Sequence, residues 1–189
     1  MRLTRSEQLF EEFCRINRLE YERVAEGPSP TPDYTVDCDG QMIAFEVKQI
    51  DKDENFNRPV SQRTVGDHLR AKIASARKQV GAAAELGQPA VLLVMNNLDP
   101  LQLFGTEPTD YWAAMHGDLE VVLSDARHIV RWQRGRNREF RPDKNDNFSG
   151  LGHLVHSRAG PQITIYENAL ARFPLGRLPR AFAVERSGS

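Results

Sequence analysis

Two runs of alternating apolar residues, Tyr34-Val36-Cys38 and Ile43-Phe45-Val47, flank the dipeptide Asp39-Gly40. Alternation with period two marks strands with one buried face. Asp-Gly between such runs signals a type I′ turn, because both central residues of that turn need positive φ. The pattern predicts a β-hairpin over Pro32 to Ile50. Counting outward from a two-residue turn pairs Cys38 with Gln41, Val36 with Ile43, Tyr34 with Phe45 and Asp33 with Glu46. The apolar residues then share one face, and Asp33, Thr35, Ala44, Glu46 and Lys48 share the other, where opposed Cβ atoms lie about 4.5–5.5 Å apart. Two carboxylates at that separation repel unless positive charge sits beside them. A divalent metal would supply it, and Lys48 stands on the same face. A register slip of one residue would send the acids to opposite faces.

Elsewhere the apolar spacing is helical. Leu9, Phe10, Phe13, Cys14 and Ile16 make a stripe over Thr4 to Asn17, with Thr4 or Ser6 as cap and Glu7 placed to close a capping box on Thr4. Leu69, Ile73, Ala76, Val80 and Ala84 make a second stripe over His68 to Leu86, with Gly87 as a stop. Leu19 to Val24 reads as a short strand, and Ala25 to Thr31 as a turn-rich connector that delivers Asp33 with Pro32 immediately before it. Proline lacks an N–H and fixes φ, so it suits a strand start. Pro89 to Met95 is a continuous apolar run of buried-strand length. Asp99 to Gly117 reads as irregular or loosely helical. Leu119 to Leu123, Arg127 to Trp132, Gly152 to Ser157 and Gln162 to Tyr166 read as further strands, and the sequence after Tyr166 as a proline-punctuated tail that frays from Glu185.

Composition narrows the function classes. The 189 residues suffice for one domain with a substantial core. A net charge of −1 does not advertise a polyanion binder, so any nucleic-acid contact must come from a local patch. Two cysteines are too few for a disulfide framework and predict a reduced, cytoplasmic protein. The N-terminal residues lack the apolar run of a signal peptide, and no stretch approaches a membrane span. The locally basic stretch is Arg131 to Lys144, where Arg131, Arg134, Arg136 and Arg138 interleave with Trp132 and Phe140. Such a segment can meet phosphates and stack on bases; a ligand-free arginine-rich loop is the competing reading. The long polar segment after Lys48 is either a substrate-contacting loop or a surface insertion. Its Asp51, Asp53 and Glu54 lack the spacing of an EF-hand. His153 and His156 do not share a strand face, which argues against zinc.

Pro32-Asp33, followed by Glu46-Val47-Lys48 on the facing strand, resembles the signature of the PD-(D/E)xK nuclease superfamily. The likeness implies the restriction-endonuclease-like α/β fold: an α-β-β-β-α-β core over about residues 4–97, with a mixed central sheet flanked by helices. Residues 98–184 would then add a β-rich C-terminal elaboration within the same single domain. It further implies a metal-dependent phosphodiesterase acting on nucleic acid, most readily DNA. Asp33, Glu46, the Val47 carbonyl and Glu7 would bind Mg²⁺ or Mn²⁺, with Glu11 second to Glu7 as the helix-borne ligand. Lys48 would orient or activate water, and Gln79 would support it from the second helix. Oxygen ligands suit these hard cations, and no sulfur or imidazole stands close in sequence to favour zinc.

Other readings exist for the same residues. Glu7 and Glu11 serve equally as a capping acid and a solvated helix face. Glu46 and Lys48 could be the alternating charge of a protected sheet edge, although that leaves the placement of Asp33 opposite Glu46 unexplained. The alternative function is a module that kept the fold and binds nucleic acid or protein without catalysis. Many nucleases of the superfamily act as dimers, so a homodimer is allowed, though no interface is legible in the sequence.

Overall fold

A computed structural model describes residues 3–25, 27–52, 64–98 and 105–186. Helix α1, Arg5–Ile16, begins where Thr4 accepts from the Glu7 N–H while Glu7 reaches back to the Thr4 N–H, a complete capping box. Its apolar stripe buries Leu9, Phe10, Phe13 and Cys14, whereas Ile16, expected in the same stripe, stands 58% exposed at the last turn. Strands β1 (Tyr21–Arg23), β2 (Tyr34–Cys38) and β3 (Gln41–Ile50) follow as an antiparallel meander. Helix α2, Asp67–Glu85, then leads to β4, Ala90–Asn96, which pairs parallel with β3. Every residue of β4 is buried, as expected of a parallel strand covered on both faces.

The sheet continues beyond β4. Strand β7, Gly150–Ser157, pairs parallel with β4, β8 (Gly160–Glu167) returns antiparallel, and β9 (Phe182–Glu185) closes the edge parallel to β8. Among the described residues this is a mixed seven-stranded sheet in the order β1-β2-β3-β4-β7-β8-β9. Strand β9 corrects the expected tail: Glu185 pairs with Tyr166, and Arg186 donates to Glu167 at 2.7 Å. The segment expected to be irregular or loosely helical contains α3, Pro108–His116, capped by a reciprocal pair of contacts between Glu107 and Asp110; residues 99–104 of that expectation lie outside the described residues, as do 187–189. So does most of the long polar segment after Lys48, including Asp53 and Glu54. The two remaining strands, β5 (Leu119–Leu123) and β6 (Ile129–Arg134), form a separate antiparallel ribbon.

Two apolar layers sandwich the main sheet. On one side α1 covers Tyr34, Val36, Ile43, Phe45, Val47, Val91 and Leu93. On the other, α2 and α3 cover Ala44, Ile50, Leu92, Val94, Leu151 and Tyr166. Strand β3 feeds both layers, so its second row reads Ala44, Glu46, Lys48, Ile50: two charged residues set between two buried apolar ones. Among the described residues no helix is long and apolar enough to cross a membrane.

Candidate functional site

The turn that decides the register forms as the sequence predicts. Asp39 and Gly40 both have positive φ, 55° and 89°, and Asp37 Oδ1 accepts from the Gly40 N–H at 2.7 Å. Cys38 opposes Gln41, Val36 opposes Ile43 and Tyr34 opposes Phe45. One step further out lie Asp33 and Glu46, just past the regular end of β2. Asp33 Oδ2 accepts from the backbone N–H of Val47 at 2.7 Å, which fastens that carboxylate to β3 beside Glu46.

Glu46 is 1% exposed, and Lys48 Nζ lies 2.5 Å from its Oε1. That ion pair engages Oε1, while Oε2 is buried without a hydrogen-bond partner. Burial, then the Asp33 charge, push the Glu46 carboxyl up from 4.5 to about 7 against the opposing pull of Lys48. Asp33 is also raised, chiefly by burial, with the Val47 N–H and Lys48 opposing. For Lys48 burial is the largest influence and lowers its pKa, but Glu46, Asp33 and Glu7 outweigh it, so the net shift is upward and the ammonium is held charged. Two acids and one base therefore share a half-enclosed site with more negative than positive charge when all are ionised.

Glu7 stands close enough for its charge to raise both Asp33 and Lys48. Its oxygens are engaged, Oε2 by the Thr4 N–H at 2.6 Å and Oε1 by Arg23 at 3.2 Å. Glu11 instead accepts from the Tyr34 hydroxyl at 2.9 Å. Gln79 lies on the inner side of α2, its amide oxygen buried without a hydrogen-bond partner, but nothing in the structure joins it to Asp33 or Glu46. A different α2 residue does sense the site: Lys72, lowered mainly by burial, feels Asp51 and Lys48. Lys72 falls three residues after Leu69 and four before Ala76, on the stripe that faces the sheet, and that spacing was the available signal.

The four arginines do not act as a unit. Arg131 and Arg134 sit on β6, and Arg134 donates to the Gly117 carbonyl at 3.1 Å. The Arg136 side chain is 90% exposed. Arg138 donates to the Phe140 carbonyl at 2.6 Å and is partly buried.

Among the described residues no group of three or more histidine, cysteine, aspartate or glutamate side chains is arranged to hold a metal ion. What Asp33 and Glu46 offer is a pair of hard oxygen donors, one of them buried with an oxygen that has no hydrogen-bond partner, beside the Val47 backbone. That donor set fits a divalent cation of the Mg²⁺ type, which keeps several waters and takes only one or two carboxylates. No protein-family model, curated protein or solved structure matches this chain.

Proposed function

We propose that this chain is a divalent-metal-dependent nuclease with a restriction-endonuclease-like core, hydrolysing phosphodiester bonds, most readily of DNA. The observation that carries the reading is the register itself: Asp33 stands beside a buried Glu46 whose Oε2 has no hydrogen-bond partner, and Lys48, paired with its Oε1, follows on the same row. The order α1-β1-β2-β3-α2-β4, with three antiparallel strands before a parallel fourth, supports it.

Asp33, Glu46 and the Val47 carbonyl would hold Mg²⁺ or Mn²⁺. When bound, such an ion polarises a phosphoryl oxygen and lowers the pKa of a coordinated water. Hydrolysis makes a bond from a water oxygen to phosphorus and breaks one phosphorus–ester oxygen bond. Lys48, held protonated by its acidic neighbours, places a positive charge where the pentacovalent phosphorus gathers negative charge. Arg131 and Arg136, whose side chains are exposed, are the arginines of the basic stretch best placed to meet phosphates. Arg134 and Arg138 anchor backbone instead.

A binding module without catalysis is the second reading, favoured by the engagement of Glu7 with Thr4 and Arg23. The experiment is cleavage of supercoiled and branched DNA with Mg²⁺ or Mn²⁺, beside calorimetric titration of each metal. The nuclease reading expects metal-dependent cutting that falls at least about 100-fold in Glu46→Gln and Lys48→Ala, in the range of lost electrostatic stabilisers. Metal-independent DNA binding with no cutting and no metal uptake would establish the second reading.

A further inference from the structure

Glu7 and Glu11, one helical turn apart on α1, meet different partners on the first two strands. Glu11 accepts from the hydroxyl of Tyr34, a fully buried side chain that no ligand can reach. Glu7 Oε1 lies 3.2 Å from Arg23 Nη2, and this pair is open on one side: the Arg23 side chain is 34% exposed and that of Glu7 13%. Arg23 ends β1, the edge strand of the main sheet, where it pairs with Tyr34. The next residue, Val24, donates its N–H to the Asp33 carbonyl at 2.9 Å. Arg23 therefore stands beside Asp33 at an open sheet edge, and its charge opposes the upward shift of the Asp33 carboxyl. Among the described residues Glu7 is its one side-chain partner. The two oxygens of Glu7 are held differently. Oε2 takes the Thr4 N–H at 2.6 Å and is committed to the helix cap; Oε1 meets the guanidinium in a half-exposed ion pair, a weak kind of contact.

We propose that Arg23 is a phosphate-binding latch on Glu7: it holds Oε1 until a substrate phosphate takes the guanidinium, which frees that oxygen for the divalent ion between Asp33 and Glu46. The proposal rests on the nuclease reading and adds an order of events to it, with nucleic acid completing the metal site. Arginine suits the exchange, because its planar fork of N–H donors matches phosphate oxygens as well as carboxylate ones. A guanidinium and a dication also repel each other, so they do not share Glu7 comfortably. Charge balance points the same way. When all are ionised, Asp33, Glu46 and Glu7 set three carboxylates against the two cations Lys48 and Arg23. With Arg23 drawn off by a phosphate the excess becomes two negative charges, which a divalent cation balances. The contact between Glu7 and Arg23 is then the resting arrangement of the site, and Glu11, tied to a buried hydroxyl, has no such release.

Two binding measurements on the full chain test this without any cleavage: calorimetric titration of Mn²⁺ in the absence of nucleic acid, and fluorescence anisotropy of a labelled DNA duplex in the absence of metal, over a salt series. Arg23→Gln should bind Mn²⁺ about 3-fold tighter, the scale of a released half-exposed ion pair. It should bind the duplex about 3-fold more weakly, with the slope of log affinity against log salt smaller by about 0.9, the loss of one phosphate contact. Arg23→Lys should restore that slope. Glu7→Gln keeps a capping box, which accepts glutamine; it frees the arginine and should tighten duplex binding, a gain that disappears when Arg23→Gln is added. A contact that only joins α1 to β1 would lower the melting temperature and leave Mn²⁺ affinity unchanged. Equal Mn²⁺ affinity in the parent and Arg23→Gln overturns the latch and leaves the nuclease reading standing. So does an unchanged salt slope, or a parent that binds no duplex. Absence of Mn²⁺ binding in both proteins overturns the nuclease reading and the latch together.

Discussion

The Asp33 carboxylate accepts a hydrogen bond from the backbone N–H of Val47 at 2.7 Å, so a side chain before β2 completes the backbone pairing of β3. The same group thereby serves the fold and the candidate site. Asp33→Ala leaves that N–H without its acceptor and should cost about 1–3 kcal/mol; Asp33→Asn keeps an acceptor oxygen and should cost less. Urea denaturation of both variants checks the order, and equal losses would show that the bond contributes little.

Stability without metal should fall with rising pH through Glu46. Its carboxyl is raised in the fold from 4.5 to about 7. A raised folded value means the folded state holds the proton more tightly. The contribution is fully present below pH 4.5 and is lost as pH rises towards about 7. The loss is at most about 3 kcal/mol. Glu46→Gln, neutral at every pH, should flatten the profile across that window in chemical denaturation. An unchanged slope would mean that another group produces it.

His116 should behave in the opposite sense. Burial, then Arg138 and Arg134, push its imidazole down from 6.5 to about 4, while its ring stacks on Trp112 with centroids 5.3 Å apart. A depressed value makes its contribution complete above pH 6.5 and lost as pH falls towards about 4. In an NMR titration its ring signals should stay at the neutral position at pH 5.5. A midpoint near 6.5 would contradict the packing around it.

Gly66, just before α2, has φ 84°, and a Cβ there would lie 2.9 Å from Ala114 N and 3.0 Å from the Asp110 carbonyl. Its N–H donates to the buried Asp110 Oδ1 at 2.7 Å. Gly66→Ala therefore combines a left-handed backbone with a clash against backbone that cannot swing away. A loss of about 2 kcal/mol or more is expected in thermal unfolding. Gly40→Ala, with φ 89° but nothing within 4 Å of the added carbon, should lose only about 1–2 kcal/mol. Equal effects would show that the clash is relieved.

What the sequence revealed most fully was what it encodes locally. The Asp39-Gly40 turn and the alternation on either side of it set the hairpin register without help from the rest of the chain. The stripe in α2 and the apolar run of β4 were equally plain. Helix α3 was legible only as a loosely helical alternative within Asp99 to Gly117, because its cap is a pair of acids, Glu107 and Asp110, ahead of a short and largely apolar segment. Strand β9 was hidden because four residues after a proline-rich stretch show little period, and its pairing with β8 is a tertiary decision. The ribbon strands were visible, but nothing in their alternation could say that they would leave the main sheet. Within the site, Asp33, Glu46 and Lys48 followed from counting. Lys72 required knowing which side of α2 meets β3; Gln79 lies on that side with its amide oxygen buried and without a hydrogen-bond partner.

The parallel pairings on either side of β4 join segments far apart in the chain, Ala44 with Ala90 and Val91 with Gly150. Closing such loops is slow compared with zipping a hairpin around a two-residue turn. The β2–β3 hairpin is thus the part of the sheet that can assemble first, and it carries Glu46 and Lys48 with it. Local pairing alone therefore sets Glu46 and Lys48 beside each other on one row, and the distant strands are needed only to bury one side of it.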